Sequence, residues 1–379
     1  MVGTWMQITA LGFFVFELTH SPAFLGYVGF ASGVPFWLLT LFGGVVSDRM
    51  QRRSLLLITQ TAMMILAFIL AALTFLNRIA PWHIVMLAFG VGVANAFDTP
   101  ARHAFVVELV ERENLSNAIA LNSIMMNLAT AIGPSIAGVT YAILGPGWCF
   151  MINGVSFIAV ISALVMIRLE PQPLRILKGT ALDDLKEGLR YIVSHPTIRI
   201  LIVVVMVTTL FGMSFVTLMP AWAVNVLRGD SKTNGFLHSA RGIGSLIGGL
   251  TNASFSHTKM RGKLLTVGSL LLPVLLLVLS AMRWLPLSLI ALIGIGMALM
   301  LVVNIANMLI QSHVSDSLRG RVMSIYTVSI FGMLPLGSLL YGTMAQRIGE
   351  PKTVVLGSIV LLAFTWILWL SMPRLRSLE

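Results

Sequence analysis

The stretch Gly44-Val45-Val46-Ser47-Asp48-Arg49-Met50-Gln51-Arg52-Arg53 decides the fold. It is a short charged turn between two long apolar runs, Ala23 to Val46 and Ser54 to Leu76, neither of which holds a charge. Each run is long enough to cross a bilayer, which takes about 20 apolar residues. A tight basic turn between two spans is retained on the cytoplasmic side. Composition agrees. Hydrophobic residues make up 57% of the 379 residues and charged residues 10%, with mean hydropathy +0.92, whereas soluble domains carry about 25% charge. A cytosolic globule has nowhere to hide that much apolar surface. The single Cys149 excludes an internal disulfide.

At roughly 30 residues per span and loop, the chain has room for about 12 crossings. Apolar runs fall at 1–17, 23–47, 54–76, 82–107, 115–142, 147–168, 197–227, 232–255, 263–282, 285–311, 320–345 and 353–372. Pro, Gly or charge marks most joints, as at Pro81, Pro146, Pro196, Pro286 and Gly349-Glu350-Pro351. The first run is shorter than a full span, which predicts that helix 1 begins upstream of Met1. It has no basic leader and no cleavage site of the kind that marks a signal peptide.

Lys and Arg set the orientation. The side that holds Arg49, Arg52 and Arg53 also holds Arg112, the bases between Arg168 and Arg199, Lys259 to Lys263, Arg319, Arg321, Arg374 and Arg376. The other side holds Arg78, Arg228, Lys232, Arg283, Arg347 and Lys352. The asymmetry predicts a multi-pass protein of the inner (plasma) membrane with both termini in the cytoplasm. It also accounts for the net charge of +11 without a nucleic-acid partner. The organisation read from the chain is 1–168 as one six-span half, 169–196 as a cytoplasmic linker and 197–379 as a second half. Within the linker, Leu185, Leu189 and Ile192 sit at helical spacing. That segment reads either as an amphipathic helix on the inner membrane face or as a solvated linker helix.

The halves look like repeats. Gly44-x-x-x-Asp48 after span 2 corresponds to Gly248-Gly249-Leu250-Thr251-Asn252 after span 8. Gly133 and Gly138 in span 5 correspond to Gly337 and Gly342 in span 11 at the same offset. Asn95, Asp98 and Arg102 in span 4 match Asn304, Asn307 and Gln311 in span 10 at a slightly longer one. Internal duplication around a shared site is a common transporter plan.

Gly44-x-x-x-Asp48-Arg49-x-x-Arg52-Arg53 resembles the loop 2–3 motif of the major facilitator superfamily, with Gln51 where that motif usually has glycine. Gly133-Pro134-x-x-Ala137-Gly138 resembles its antiporter-associated motif. Leu18-Thr19-His20-Ser21-Pro22, Ala96-Phe97-Asp98-Thr99-Pro100-Ala101-Arg102 and Asn117-Ala118-Ile119-Ala120-Leu121-Asn122-Ser123 are similar to an enterobactin-exporter-like branch. The resemblance implies an all-α membrane protein of two pseudo-symmetric six-helix bundles, twelve helices in all with the first one short. It further implies proton-coupled efflux of an amphipathic drug or siderophore-like metabolite by a monomer that alternates access. A facilitator-fold importer or lipid transporter is the nearest alternative, and a membrane-embedded enzyme a more distant one.

Each candidate residue has a second reading. Gly44, Asp48, Arg49, Arg52 and Arg53 form a gate by the resemblance, yet the arginines also serve as topology determinants. Asp98 lies about 24 Å into span 4 and pairs either with Arg49 or Arg52 or with Arg102 one turn on. Gly133, Pro134 and Gly138 shape the conformational switch or simply pack helices. Asn122 and Asn127 line a cavity or bond between helices. Arg241 lies about 14 Å into span 8, near the midplane of a ~30 Å core, with His238 on the same helix face. A charge there costs about 2.5–3.5 kcal/mol unless it is paired or faces a cavity. The acids of that half, Asp230, Asp316 and Glu350, sit near span ends. Arg241 is therefore expected to face a cavity and attract an anionic or polyphenolic substrate, the other reading being that it binds carbonyls across the bundle. No phosphate-binding loop, metal-ligand cluster or catalytic triad is visible in the sequence, so no cofactor is expected.

Overall fold

The computed structural model describes residues 1–167, 181–254 and 260–372. These are helical almost throughout, with no strand among the described residues. The helices are α1 (Val2–Thr19), α2 (Pro22–Arg49), α3 (Arg52–Phe75), α4 (Pro81–Leu109), α5 (Leu115–Leu144) and α6 (Pro146–Met166), then α7 (Ala181–Ser194) in the linker. They continue with α8 (Pro196–Val226), α9 (Ser231–Ser254), α10 (Arg261–Ala281), α11 (Leu285–His313), α12 (Asp316–Ile348) and α13 (Glu350–Ser371). Spans 7 to 12 of the sequence are thus α8 to α13.

Eleven of these helices are long and apolar enough to cross a membrane. Apart from the linker helix, the one that falls short is α9. It carries Lys232, Asn234, His238 and Arg241, and it is packed between α5 and α11. Protein rather than lipid surrounds much of it, so its polarity is tolerated. Elsewhere the surface is studded with exposed Ile65, Ile69, Met86, Phe89, Trp366 and Leu370, the outward face expected of helices bathed in lipid. Two helix joints repeat between the halves. Gly145 and Gly349 end α5 and α12 with φ 87° and 85°, left-handed values that favour glycine. Proline then fixes the first turn of α6 and α13.

The linker helix lies against the second half. Its Ile192 is buried in one core with Ile325 and Tyr326 of α12. Gly188 admits the close approach, since a Cβ there would meet Ile325 Cδ1 at 2.8 Å, and Glu187 pairs with Arg321 at 2.7 Å. The side of the helix that carries Gly188 and Ile192 thus packs on α12, while Leu189 and Val193 stay exposed.

The halves meet along two seams, α2 with α12 and α5 with α9. On the first, a Cβ at Gly26 would fall 3.2 Å from the Gly342 Cα, and one at Gly29 2.8 Å from Ser338 Cβ. On the second, a Cβ at Gly138 would fall 2.6 Å from the Ser231 carbonyl, and one at Gly242 2.7 Å from that of Thr130. Ser135 and Ser239 hydroxyls bond across this seam at 2.7 Å. Both seams occupy the end opposite the Arg49–Arg53 turn, here called the sealed end; the other is the basic end. The seam face of α2, through Gly26, Gly29 and Gly33, continues at helical spacing to Gly44, and that of α9, through Gly235 and Gly242, to Gly249. A Cβ at Gly44 or Gly249 would have no atom of the described residues within 4 Å. Among the described residues, the close glycine contacts between the bundles thus lie toward the sealed end.

Ser135→Cys with Ser239→Cys, in a Cys149→Ala background, should cross-link readily under mild oxidation. Adding Gly342→Leu on the other seam imposes about 1–3 kcal/mol of overpacking and should lower the cross-linked fraction several-fold, read on a gel after a protease cut in the linker.

Candidate functional site

Two charges of the basic turn, Arg53 and Arg52, make contacts within the first half. Arg53 donates from Nε and Nη2 to the carbonyls of Leu164 and Val165, both at 2.7 Å, and so satisfies the C-terminal end of α6. Arg52 forms an ion pair with Glu108 of α4. Asp48 and Arg49 close α2, and their side chains lie outside the described residues. Asp98 is 1% exposed. Its Oδ1 accepts from Thr59 Oγ1 at 2.8 Å and from Gln60 Nε2 at 2.7 Å, and its Oδ2 accepts from Arg102 Nε at 3.1 Å. Asp98 thus pairs with Arg102, one turn on, while the Arg49 side chain lies outside the described residues. The matched pair in the second half is neutral: Gln311 donates its amide to Asn307 one turn earlier. Gly43 and Gly44 also differ in role. A Cβ at Gly43 would run into the Ala96 carbonyl of α4, whereas Gly44 faces open space. Gly248 and Gly249 repeat this, Gly248 against Met297 O at 2.7 Å.

The Gly133–Gly138 motif serves two neighbours. Gly133 lets α1 approach, a Cβ there falling 2.8 Å from Trp5 Cβ. Pro134 offers its carbonyl to the seam, where a Cβ on Gly235 would lie 2.5 Å from it, and Gly138 accepts α9 directly. Asn127 donates to Ser123 O of its own helix at 2.9 Å, and Asn122 is half-buried on α5. Neither is brought against Arg241 by a hydrogen bond.

His238 and Arg241 are buried on α9, 8% and 7% exposed. Arg241 Nε has no hydrogen-bond partner, and no salt bridge reaches its guanidinium among the described residues. Asn234, one turn before His238 on the same face, donates to the Thr9 carbonyl of α1 at 3.4 Å. The Asn234 Oδ1 and Thr9 Oγ1 atoms are also buried without partners. Sequence reasoning found Arg241 and His238 by charge and depth. It missed Thr9 and Asn234, which are unremarkable polar residues until α1 and α9 are known to meet. It likewise missed Thr59, Gln60 and Glu108, whose importance lies in the carboxylate or guanidinium each one serves. No cluster of His, Cys, Asp or Glu able to hold a metal occurs among the described residues.

Two bundles of membrane-crossing helices, sealed at one end, with small residues along the seams and buried unpaired polar groups beside them, define a membrane transporter of the major facilitator fold. A family model described as "Transmembrane secretion effector" matches residues 1–379, and the chain belongs to that family. It is 26% identical to the "Staphyloferrin A transporter" of Staphylococcus aureus, over 99% of this chain and 94% of that one. It is 26% identical to the "Multidrug efflux pump Tap" of Mycolicibacterium fortuitum, over 100% and 94%, and 25% identical to the "Enterobactin exporter EntS" of Shigella flexneri, over 95% and 85%. Among solved structures, it superposes with TM-score 0.73 on a bacterial homologue of the human lysosomal transporter Spinster, at 15% identity over 99% of this chain and 96% of that one. A single-site mutant of the nucleoside transporter NupG aligns with TM-score 0.72, at 15% identity over 99% and 98%. The chain is thus a multi-pass membrane transporter of small molecules, not an enzyme.

Asp98→Leu should lower the melting temperature by stranding Arg102, Thr59 and Gln60. Asp98→Leu with Arg102→Leu should recover part of that loss, a coupling of about 0.5–3 kcal/mol in a double-mutant cycle. Additive losses would show that the pair contributes nothing as a pair.

Proposed function

We propose that the protein is a proton-coupled exporter that expels amphipathic small molecules, drug-like or siderophore-like, from the cytoplasm by alternating access. The observation that carries this reading is the asymmetry of the seams among the described residues: glycine contacts close the sealed end, while Gly44 and Gly249, on the same helix faces, have no described neighbour within 4 Å of a Cβ. If the basic end is cytoplasmic, as the distribution of Lys and Arg favours, this state is open to the cytoplasm. Export then requires the basic end to close, bringing Gly44 and Gly249 into packed contact, while the glycine seams part. Asp48 and Arg49 at the end of α2, with Arg52, Arg53, Asp98 and Arg102 beneath them, form the gate that biases this exchange. Gly133, Pro134 and Gly138 set how closely the seam shuts. The Staphylococcus, Mycolicibacterium and Shigella relatives, named for siderophore or multidrug transport, support the direction and the cargo class. The protein acts as a monomer in the plasma membrane, with both termini cytoplasmic.

The test uses everted vesicles from cells that express the chain, with ethidium as the probe. An inside-acid gradient should drive protein-dependent ethidium accumulation, and nigericin should abolish it. Accumulation indifferent to the gradient would rule out proton coupling, and release in place of accumulation would rule out export. Asp48→Asn should cut the rate about tenfold or more at equal abundance, the size expected when roughly 1.4 kcal/mol of conformational bias is removed. Green fluorescent protein fused after Glu379 should fluoresce, and alkaline phosphatase fused there should be inactive; the opposite pair would invert the orientation.

A further inference from the structure

We infer that Thr9, Asn234, His238 and Arg241 form a site for a single anionic group, a carboxylate or ionised phenol, that is intact only while the sealed end is shut. The inference deepens the exporter reading, on which it rests, by assigning one class of its cargo, the anionic, and the place where that class is captured.

Asn234, His238 and Arg241 follow one another at four and three residues, so they share one face of α9. That face meets α1 at its outer end, where Asn234 donates to the Thr9 carbonyl at 3.4 Å. Arg241 begins about 10 Å further along. Helical side chains lean toward the N-terminus of their helix, so its guanidinium reaches back toward His238 and Asn234. Three buried polar atoms on this line lack partners: Thr9 Oγ1, Asn234 Oδ1 and Arg241 Nε. Thr9 is 3% exposed, Asn234 1% and Arg241 7%. Buried polar atoms are ordinarily satisfied, and a buried guanidinium without a counter-charge is the costliest kind to leave unmet. A carboxylate matches the guanidinium in charge and planar geometry. Its remaining lone pairs accept from the Thr9 hydroxyl and from the second Nδ2–H of Asn234, the first being given to the Thr9 carbonyl; the Asn234 Oδ1, an acceptor, takes no part in holding the anion.

Thr9 belongs to the first half, and Asn234 and Arg241 to the second. An anion held by all three ties the halves together at the sealed end. Opening the seam withdraws Thr9 and leaves the anion fewer donors. Capture from the basic end and release at the opposite end then follow from geometry, since a ligand favours the state that offers it more contacts.

The experiment uses the purified full chain in lipid nanodiscs, with salicylate as the probe and its neutral amide, salicylamide, as the control of equal shape. Salicylate should raise the melting temperature in a saturable way and salicylamide should not. Salicylate should also speed the Ser135→Cys/Ser239→Cys cross-link. Arg241→Gln should weaken salicylate at least about tenfold, the size of one lost charged hydrogen bond, and abolish its effect on cross-linking, while Arg241→Lys keeps part of both. If Arg241→Gln does not fold, Thr9→Val and Asn234→Ala serve in its place, and each should weaken salicylate several-fold. Equal binding of salicylate and salicylamide, or a salicylate affinity unchanged by these substitutions, overturns the inference. Ethidium export with no preference for salicylate would sink this site and leave the exporter reading standing. A salicylate preference without any ethidium export would do the reverse.

Discussion

Backbone-to-backbone approach between the two bundles is the contact on which the rest of this structure depends. Within lipid there is no hydrophobic gain from pressing one apolar helix against another, so association rests on close packing and on hydrogen bonds. Glycine supplies the closest packing, and it stands where the halves touch: Gly26 on Gly342, Gly138 on Gly235. The two contacts are copies. Gly26 and Gly235 are the early glycines of the second helix of each half, and Gly342 and Gly138 the late glycines of the fifth. One structural unit used twice and turned about an axis between the halves gives two equivalent seams. Such an interface shuts or parts as a whole.

From this follows the placing of charge. Close seams at one end leave a protein-lined interior near the midplane in which a polar side chain escapes lipid. Arg241 sits there beside the seam residue Gly242. In lipid that position carries a penalty of about 2.5–3.5 kcal/mol, and no counter-ion among the described residues offsets it. Asp98 is the contrasting case. It is as deeply buried, yet Thr59, Gln60 and Arg102 satisfy it completely, so it reads as structure that braces the gate helices α3 and α4. Satisfied charge builds the bundle, and unsatisfied charge waits for a ligand.

Much of this was legible in the chain. Uninterrupted apolar runs and Pro or Gly joints placed the spans, because a membrane demands long helices whatever else the protein does. The match of Gly138 to Gly342 marks the two seam contacts, and that of Gly133 to Gly337 the approach of the first helix of each half. Other parts needed three dimensions. α9 reads as a span at 232–255, but which neighbours, α5 and α11, cover its polar residues is a property of the fold. The amphipathic stretch of α7 gives no sign of which surface it will cover, and Gly188 and Arg321 determine that it is α12. The donors Thr59 and Gln60 to Asp98 come from α3, and only the course of α4 beside α3 shows that they meet it. Thr9 and Asn234 lie far apart in sequence and carry no charge, so their meeting is a property of the fold alone.

The central claim is that the two ends exchange closure through the seams. It is tested most directly by electron–electron resonance distances in nanodiscs across a pH titration. One spin-label pair sits at the basic end, on Met50 and Met260, and another at the sealed end, on Asn77 and Arg283. The account predicts two populations at each end whose weights shift in opposite directions, the Met50–Met260 distance shortening as the Asn77–Arg283 distance lengthens. Distances that stay fixed at both ends, or that lengthen together, would contradict it.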